Sequence, residues 1–269
     1  MALLQSHKRR IKSIDSTADI ARAMELVSSV KLKKLKKQYD KANKYLNELE
    51  KVINEVLYLT NREYKFDEEG ENIDIVITSN LGLCGLYNEE ILDFLDKENE
   101  DTSYIVFGEK GKSYLKNKKK IILFSYSEYS AFEEDEFQEQ FGDHLFNLVH
   151  KGKIKCINVI YTKYINNLKF DVVKETIYPF DLNKGKTDIK YEIEPNSEEM
   201  IDYLISMLVK TKIHSVLLNS LLSENASRNN AMKNAKDNAE ELKEELILVY
   251  NKLRQQQITN ELSDIVNGM

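Results

Sequence analysis

The run Gly108-Glu109-Lys110-Gly111-Lys112-Ser113 follows an apolar, strand-like stretch and opens a helix-like one. In that setting a glycine loop can wrap nucleotide phosphates with backbone N–H groups while a lysine balances their charge. The spacing fails, because such a loop needs its first glycine five residues before the Gly-Lys-Ser, where this chain has Val106. An ordinary strand-to-helix turn is expected instead. Cys84, in "SNLGLCG", could be a nucleophile only beside a base or cation that lowers its pKa. None adjoins it in sequence, and His7, His144, His150 and His214 are scattered, so a tight corner is expected here. Glu133-Glu134-Asp135-Glu136 supplies carboxylates without the glycine-turned loop of a calcium site and reads as a solvated helix face. Cys84 and Cys156 are too few and too far apart for a disulfide framework or a zinc site, which suits a reducing cytosolic compartment. The residue chemistry therefore nominates no catalytic, cofactor-binding or metal-binding residue.

The elements that would carry these residues are set by the helix breakers. Both prolines, Pro179 and Pro195, and eight of the nine glycines, Gly70 to Gly185, fall in the central segment, which leaves a long stretch on either side free to be helical. In the first stretch Leu32, Leu35, Tyr39, Ala42, Leu46, Leu49, Ile53 and Val56 recur at intervals of three and four. Ala21, Ala18, Ile14 and Ile11 extend the register backward, with Glu25 and Ser28 as polar interruptions. Met232, Ala235, Ala239, Leu242, Leu246, Val249 and Leu253 repeat the pattern near the end. Sustained three-four spacing is the seam of a coiled coil. A helix from 198 to 265 would be roughly 100 Å long, against a radius of gyration near 18 Å for a compact ball of this size, so it needs a partner of similar length. The amino-terminal stretch supplies one, and antiparallel pairing is expected.

The centre alternates strand-like runs (73–79, 104–108, 120–125) with helical ones (87–98, 110–117). An amphipathic stretch at 132–151 follows, then a strand pair, 155–164 and 170–180, around the turn "INNL". The predicted fold class is α/β, an open, mostly parallel sheet with flanking helices and an antiparallel edge, plus a long antiparallel coiled coil. The predicted segments are 1–60, 70–195 and 198–267. The whole chain carries 39 basic and 45 acidic residues, but residues 1–51 hold 13 Lys or Arg against 6 Asp or Glu. The overall deficit of positive charge argues against nucleic acid as a partner. "KLKKLKKQYDK" (31–41) keeps its leucines on the seam and its lysines on the flanks, as a solvated rod or a rod facing an acidic partner would. No apolar run is long enough for a signal peptide or a membrane span. Abundant Lys, Asn and Ile with no Trp suits an AT-rich bacterial genome.

"RIKSIDSTADIARAMELVSSVKLKKL", "TSNLGLCGLYN" and "SENASRNNAMKNAKDNAEELKEELILVYNKLRQQQITNELSDIVNG" closely resemble, in order and from end to end, the gamma subunit of rotary F-type ATP synthases. The resemblance implies a non-catalytic central shaft in a ring of three alpha-type and three beta-type subunits. An epsilon-type subunit and a proteolipid ring would lie below, and the whole would be peripheral on the cytoplasmic face of the cell membrane, coupling the ring to rotation and proton translocation. It also implies contacts with catalytic-subunit loops through Met24 in "RAMELV", Arg228 in "SENASRNNAMK", and Arg254, Gln255 and Thr259 in "NKLRQQQIT". The chain departs from the family at Asn80 and Leu81, where an acid followed by Arg or Lys is usual. It departs also at Leu86, in place of a glycine, and at Asn229 and Asn230, where apolar residues are common. These departures raise an alternative: a divergent F-type-like motor whose load is not a proton ring.

Overall fold

The computed structural model describes residues 2–60, 70–98, 102–127, 141–145, 154–180 and 198–267. In chain order the elements are α1 (Ala2–Thr60), β1 (Glu71–Ile77), α2 (Tyr87–Lys97), β2 (Ser103–Phe107), α3 (Glu109–Asn117), β3 (Ile122–Tyr126), a helical segment α4 (141–145), β4 (Ile154–Tyr164), β5 (Phe170–Tyr178) and α5 (Glu198–Asn267). Each predicted strand and helix in the described centre is found within two residues of its expected ends. Of the predicted helix at 132–151 only 141–145 is described, and the rest lies outside the described residues. Contacts divide the chain into an α/β unit, residues 31–227, and a paired-helix unit, residues 1–30 with 228–269.

In the α/β unit the strand order is β3-β2-β1-β4-β5; the first four run parallel and β5 is antiparallel to β4. β1, β2 and the middle of β4 are buried on both faces, which is why they read as unbroken apolar runs rather than alternating ones, whereas β3, at the end of the strand order, is exposed or half-buried. Side-chain alternation still sorts them. Ile73, Ile75, Ile77, Ile105 and Phe107 join a cluster with Leu46 to Leu57 of α1 and Ile201 to Leu217 of α5. Val76, Tyr104, Val106 and Ile160 turn the other way, onto Tyr87, Ile91 and Leu95 of α2 and Leu115 of α3. Leu35 of α1 packs with Leu218, Leu221 and Leu222 of α5, so residue numbers rise on one helix as they fall on the other, and the two run antiparallel. Every α5 residue from 215 to 226 is buried, far more than a two-helix seam would hide.

In the paired-helix unit the same direction is marked by ion pairs. Glu25 meets Lys236, Arg22 meets Glu240, and Asp15 meets Lys243. Ala18, Ala21 and Ser28 are buried on α1, and Arg228, Met232 and Leu246 on α5. One row of the predicted α5 seam, Met232, Ala239, Leu246 and Leu253, is buried or half-buried, whereas Leu242 and Val249 of the other row stay 40% and 44% exposed. Two helices have no third to cover the flank of their seam, so its outer row remains in contact with water.

Candidate functional site

In open parallel sheets, ligands bind outside the carboxyl ends of the strands where the connections diverge to opposite sides. Here that point lies between β1, whose connection leads to β2, and its other neighbour β4. Residues 78–86 leave β1 there. Thr78 Oγ1 donates to Phe107 O (3.0 Å) and accepts from Gly111 N–H (2.8 Å). Ser79 Oγ donates to Leu81 O (2.6 Å), and Asn88 accepts from Ser79 N–H (3.0 Å) while its Nδ2 lies 3.1 Å from Cys84 Sγ. Cys84 is 1% exposed, so its thiol is a packed corner, as the sequence suggests. Leu83, at φ 63°, and Gly85, at φ 58°, turn the chain tightly enough to start α2.

The crevice is filled by the chain itself. Asn219 Oδ1 of α5 accepts from Tyr164 N–H at the end of β4 (2.8 Å). Ser220 Oγ and Tyr87 Oη share a hydrogen bond at the start of α2 (2.7 Å), and Ser227 Oγ donates to Cys84 O (2.7 Å). Three polar side chains on one helix thus engage the three segments that meet at this edge, where a nucleotide-binding fold would admit its ligand. No motif in the sequence marks Asn219, Ser220 or Ser227 for this role. The available signal was the breadth of the apolar set around them, Val216, Leu217, Leu218, Leu221 and Leu222, too wide for a narrow seam.

The glycine loop before α3 is closed to phosphate by the same logic. Its amides are taken: Glu109 N–H by Asn80 Oδ1 (3.0 Å), Lys110 N–H by Ser79 O (3.3 Å), Gly111 N–H by Thr78 Oγ1, and Lys112 N–H by Gly108 O (3.2 Å). Gly108 sits at φ 95°, and a Cβ there would fall 2.2 Å from Thr78 O. It serves close packing, not anion access. Asn80 thus holds the first amide of α3. Leu81, Leu83 and Leu86 stand exposed on the corner, and at the start of α2 Glu90 has its pKa raised by burial and by Asp171 and Asp93.

The five residues expected to contact catalytic-subunit loops fall at two levels of the paired-helix unit. Asn229 Nδ2 donates to Glu25 O (2.9 Å), which puts their neighbours Arg228 and Met24 at the same level of the helix pair; Met24 is half-buried and Arg228 buried. Arg254, Gln255 and Thr259 are exposed on α5, about 40 Å farther along it at 1.5 Å per residue. Thr259 Oγ1 donates to Gln255 O (3.0 Å), a bond within the helix that leaves both side chains at its surface. Among the described residues no helix is long and apolar enough to cross a membrane.

A family model described as ATP synthase matches residues 3–269. The ATP synthase gamma chain of Clostridium kluyveri is 34% identical over 97% of this chain and 95% of its own length. That of Clostridium pasteurianum is 32% identical over the same shares, and that of Mesoplasma florum 31% over 100% and 98%. Among solved structures, a chain of the Euglena gracilis mitochondrial ATP synthase (OSCP/F1/c-ring) superposes with a TM-score of 0.70 at 16% identity, covering 100% of this chain and 94% of that one. A chain of the Tetrahymena thermophila mitochondrial ATP synthase central stalk and c-ring gives 0.58 at 21% identity, covering 80% and 99%. At these identities the structures speak for the fold.

Proposed function

The chain belongs to the ATP synthase gamma-chain family, and from that premise we propose that it is the central shaft of a rotary F-type ATPase, a non-catalytic subunit of the complex. Residues 1–60 and 198–267 supply the shaft's two helical segments and 70–195 its α/β domain. The observation that carries the reading is the antiparallel pairing of two helices, Ala2–Thr60 and Glu198–Asn267, that contain no glycine or proline. Such helices resist bending, as a torque-bearing element must. Inside a ring of three alpha-type and three beta-type subunits, one asymmetric rod meets each catalytic subunit differently. It biases their open and closed states by that difference in contact free energy and by nothing else.

Met24, Arg228, Arg254, Gln255 and Thr259 are the proposed contacts with catalytic-subunit loops. Arginine suits this role because its planar fork holds a carboxylate with two parallel hydrogen bonds. The non-catalytic role is supported by the closed glycine loop and by the crevice that α5 fills. Further partners on this reading are an epsilon-type subunit and a proteolipid ring, and the location is peripheral, on the cytoplasmic face of the cell membrane. The test is co-expression with alpha-type and beta-type subunits. Native mass spectrometry is expected to find one copy of this chain per three beta-type subunits, and the isolated chain is expected to hydrolyse no ATP. Turnover by the isolated chain, or absence of a complex, would refute the assignment.

A further inference from the structure

Two polar residues meet in the paired-helix unit. Glu25 interrupts the α1 seam, and Asn229 faces it from α5. Asn229 Nδ2 donates to the backbone oxygen of Glu25 at 2.9 Å, and Lys236 Nζ lies 3.0 Å from Glu25 Oε2. Residues 229 and 236 are one heptad apart, so both arms leave the same face of α5, about 10 Å apart along its axis. Met232 is buried between them. Glu25 is thereby held at its main chain by one arm and at its side chain by the other.

The surrounding seam offers little else to fix the helices lengthwise. Apart from Met232, it is built there from Ala18, Ala21 and Ser28 on one side and Ala235 and Ala239 on the other. Side chains this small make shallow knobs, and shallow knobs discriminate poorly between registers. The neighbouring Arg22–Glu240 pair is half exposed on both sides, whereas the Glu25 and Lys236 side chains are 23% and 20% exposed and less screened by water. A lysine can swing to follow a sliding carboxylate. A backbone oxygen cannot move independently of its helix, so the Asn229 arm ties the register to the main chain itself.

We propose that Glu25, gripped by Asn229 and Lys236, is the register key of the helix pair, a positioning residue that fixes how Met24 and Arg228 are presented together. Its role in coupling rests on the shaft reading. A slip of one helical turn breaks both arms at once, as a single polar layer in a coiled coil does when it specifies register.

The experiment uses the full chain with Cys156→Ser and nitroxide labels at Lys12→Cys and Glu245→Cys, both exposed sites. Dipolar spectroscopy is expected to show one narrow distance. Combining Asn229→Leu with Glu25→Gln is expected to add a second population displaced by about one turn, 5.4 Å, while Lys236→Arg leaves the distance single. In the assembled complex the same double variant is expected to lower the ratio of ATP-driven ion pumping to ATP hydrolysis severalfold, with Lys236→Arg near wild type. A single, unchanged distance in the double variant overturns the proposal. A displaced distance with an undiminished ratio overturns the positioning role. Failure of the shaft reading shows separately, as a wild-type chain that joins no ATPase ring, and the distances in the free chain still decide the register claim.

Discussion

Asp74 lies inside the sheet at 1% exposure, where an ionised carboxylate persists only if paired and hydrogen-bonded. Lys174 Nζ stands 3.3 Å from its Oδ2 and 2.6 Å from Glu98, and Asn158 Nδ2 donates to Oδ1 at 2.9 Å. Thr176 Oγ1 in turn donates to Asn158 Oδ1 at 2.9 Å. Removing one partner of a buried pair costs more than the pair contributes, because the other charge is left uncompensated. Lys174→Met is therefore expected to destabilise the α/β unit by about 3 kcal/mol or more. Adding Asp74→Asn should recover a large part of that loss, measured by urea denaturation of both variants. Equal losses in the single and double variants would show that the pair is not coupled. None of this network is legible in the sequence. Strand alternation assigns each residue to a face, but which residues oppose each other follows from the β1–β4 register, which joins segments 84 residues apart, and from the β4–β5 register.

At the level of elements, α5 changes character along its length. From 232 to 253 it is a narrow-seamed partner for one helix, and the three-four spacing reads out directly. From 215 to 226 it is buried all round, and its polar side chains replace hydrogen bonds that water would otherwise make with the sheet edge. The wide apolar set in that stretch is visible in the sequence, but nothing local says that Asn219 will meet the last residue of β4. Asn219→Ala should leave the Tyr164 N–H without that acceptor and cost about 1–3 kcal/mol. Hydrogen exchange provides the check: amides of 215–226 are expected to be among the slowest in the α/β unit, and the substitution should accelerate them together with those at the end of β4. Acceleration confined to 215–226 would mean that the helix does not brace the edge. The glycine loop before α3 is the converse case, because there the sequence spacing points to an ordinary strand-to-helix turn and the occupied amides supply the reason.

For the whole molecule the question is whether coupling and folding draw on separate residues. The apolar clusters of the α/β unit are built, among the described residues, from those between Leu35 and Leu222, so Arg254, Gln255 and Thr259 are not among them. A truncation after Leu253 removes Arg254, Gln255 and Thr259 together. It is expected to shift the unfolding of the α/β unit by less than about 0.5 kcal/mol, the range of substitutions remote from a core. In the assembled complex the same truncation should depress ATP-driven pumping more than it depresses hydrolysis, because contacts that discriminate among the three catalytic subunits would be lost while the catalytic sites themselves remain. Differential contact free energy is the only means by which a shaft can order events in a ring. A truncated chain that assembles and pumps in unchanged proportion to hydrolysis would place the decisive contacts elsewhere, at the level of Met24 and Arg228, where Glu25 holds the two helices in step.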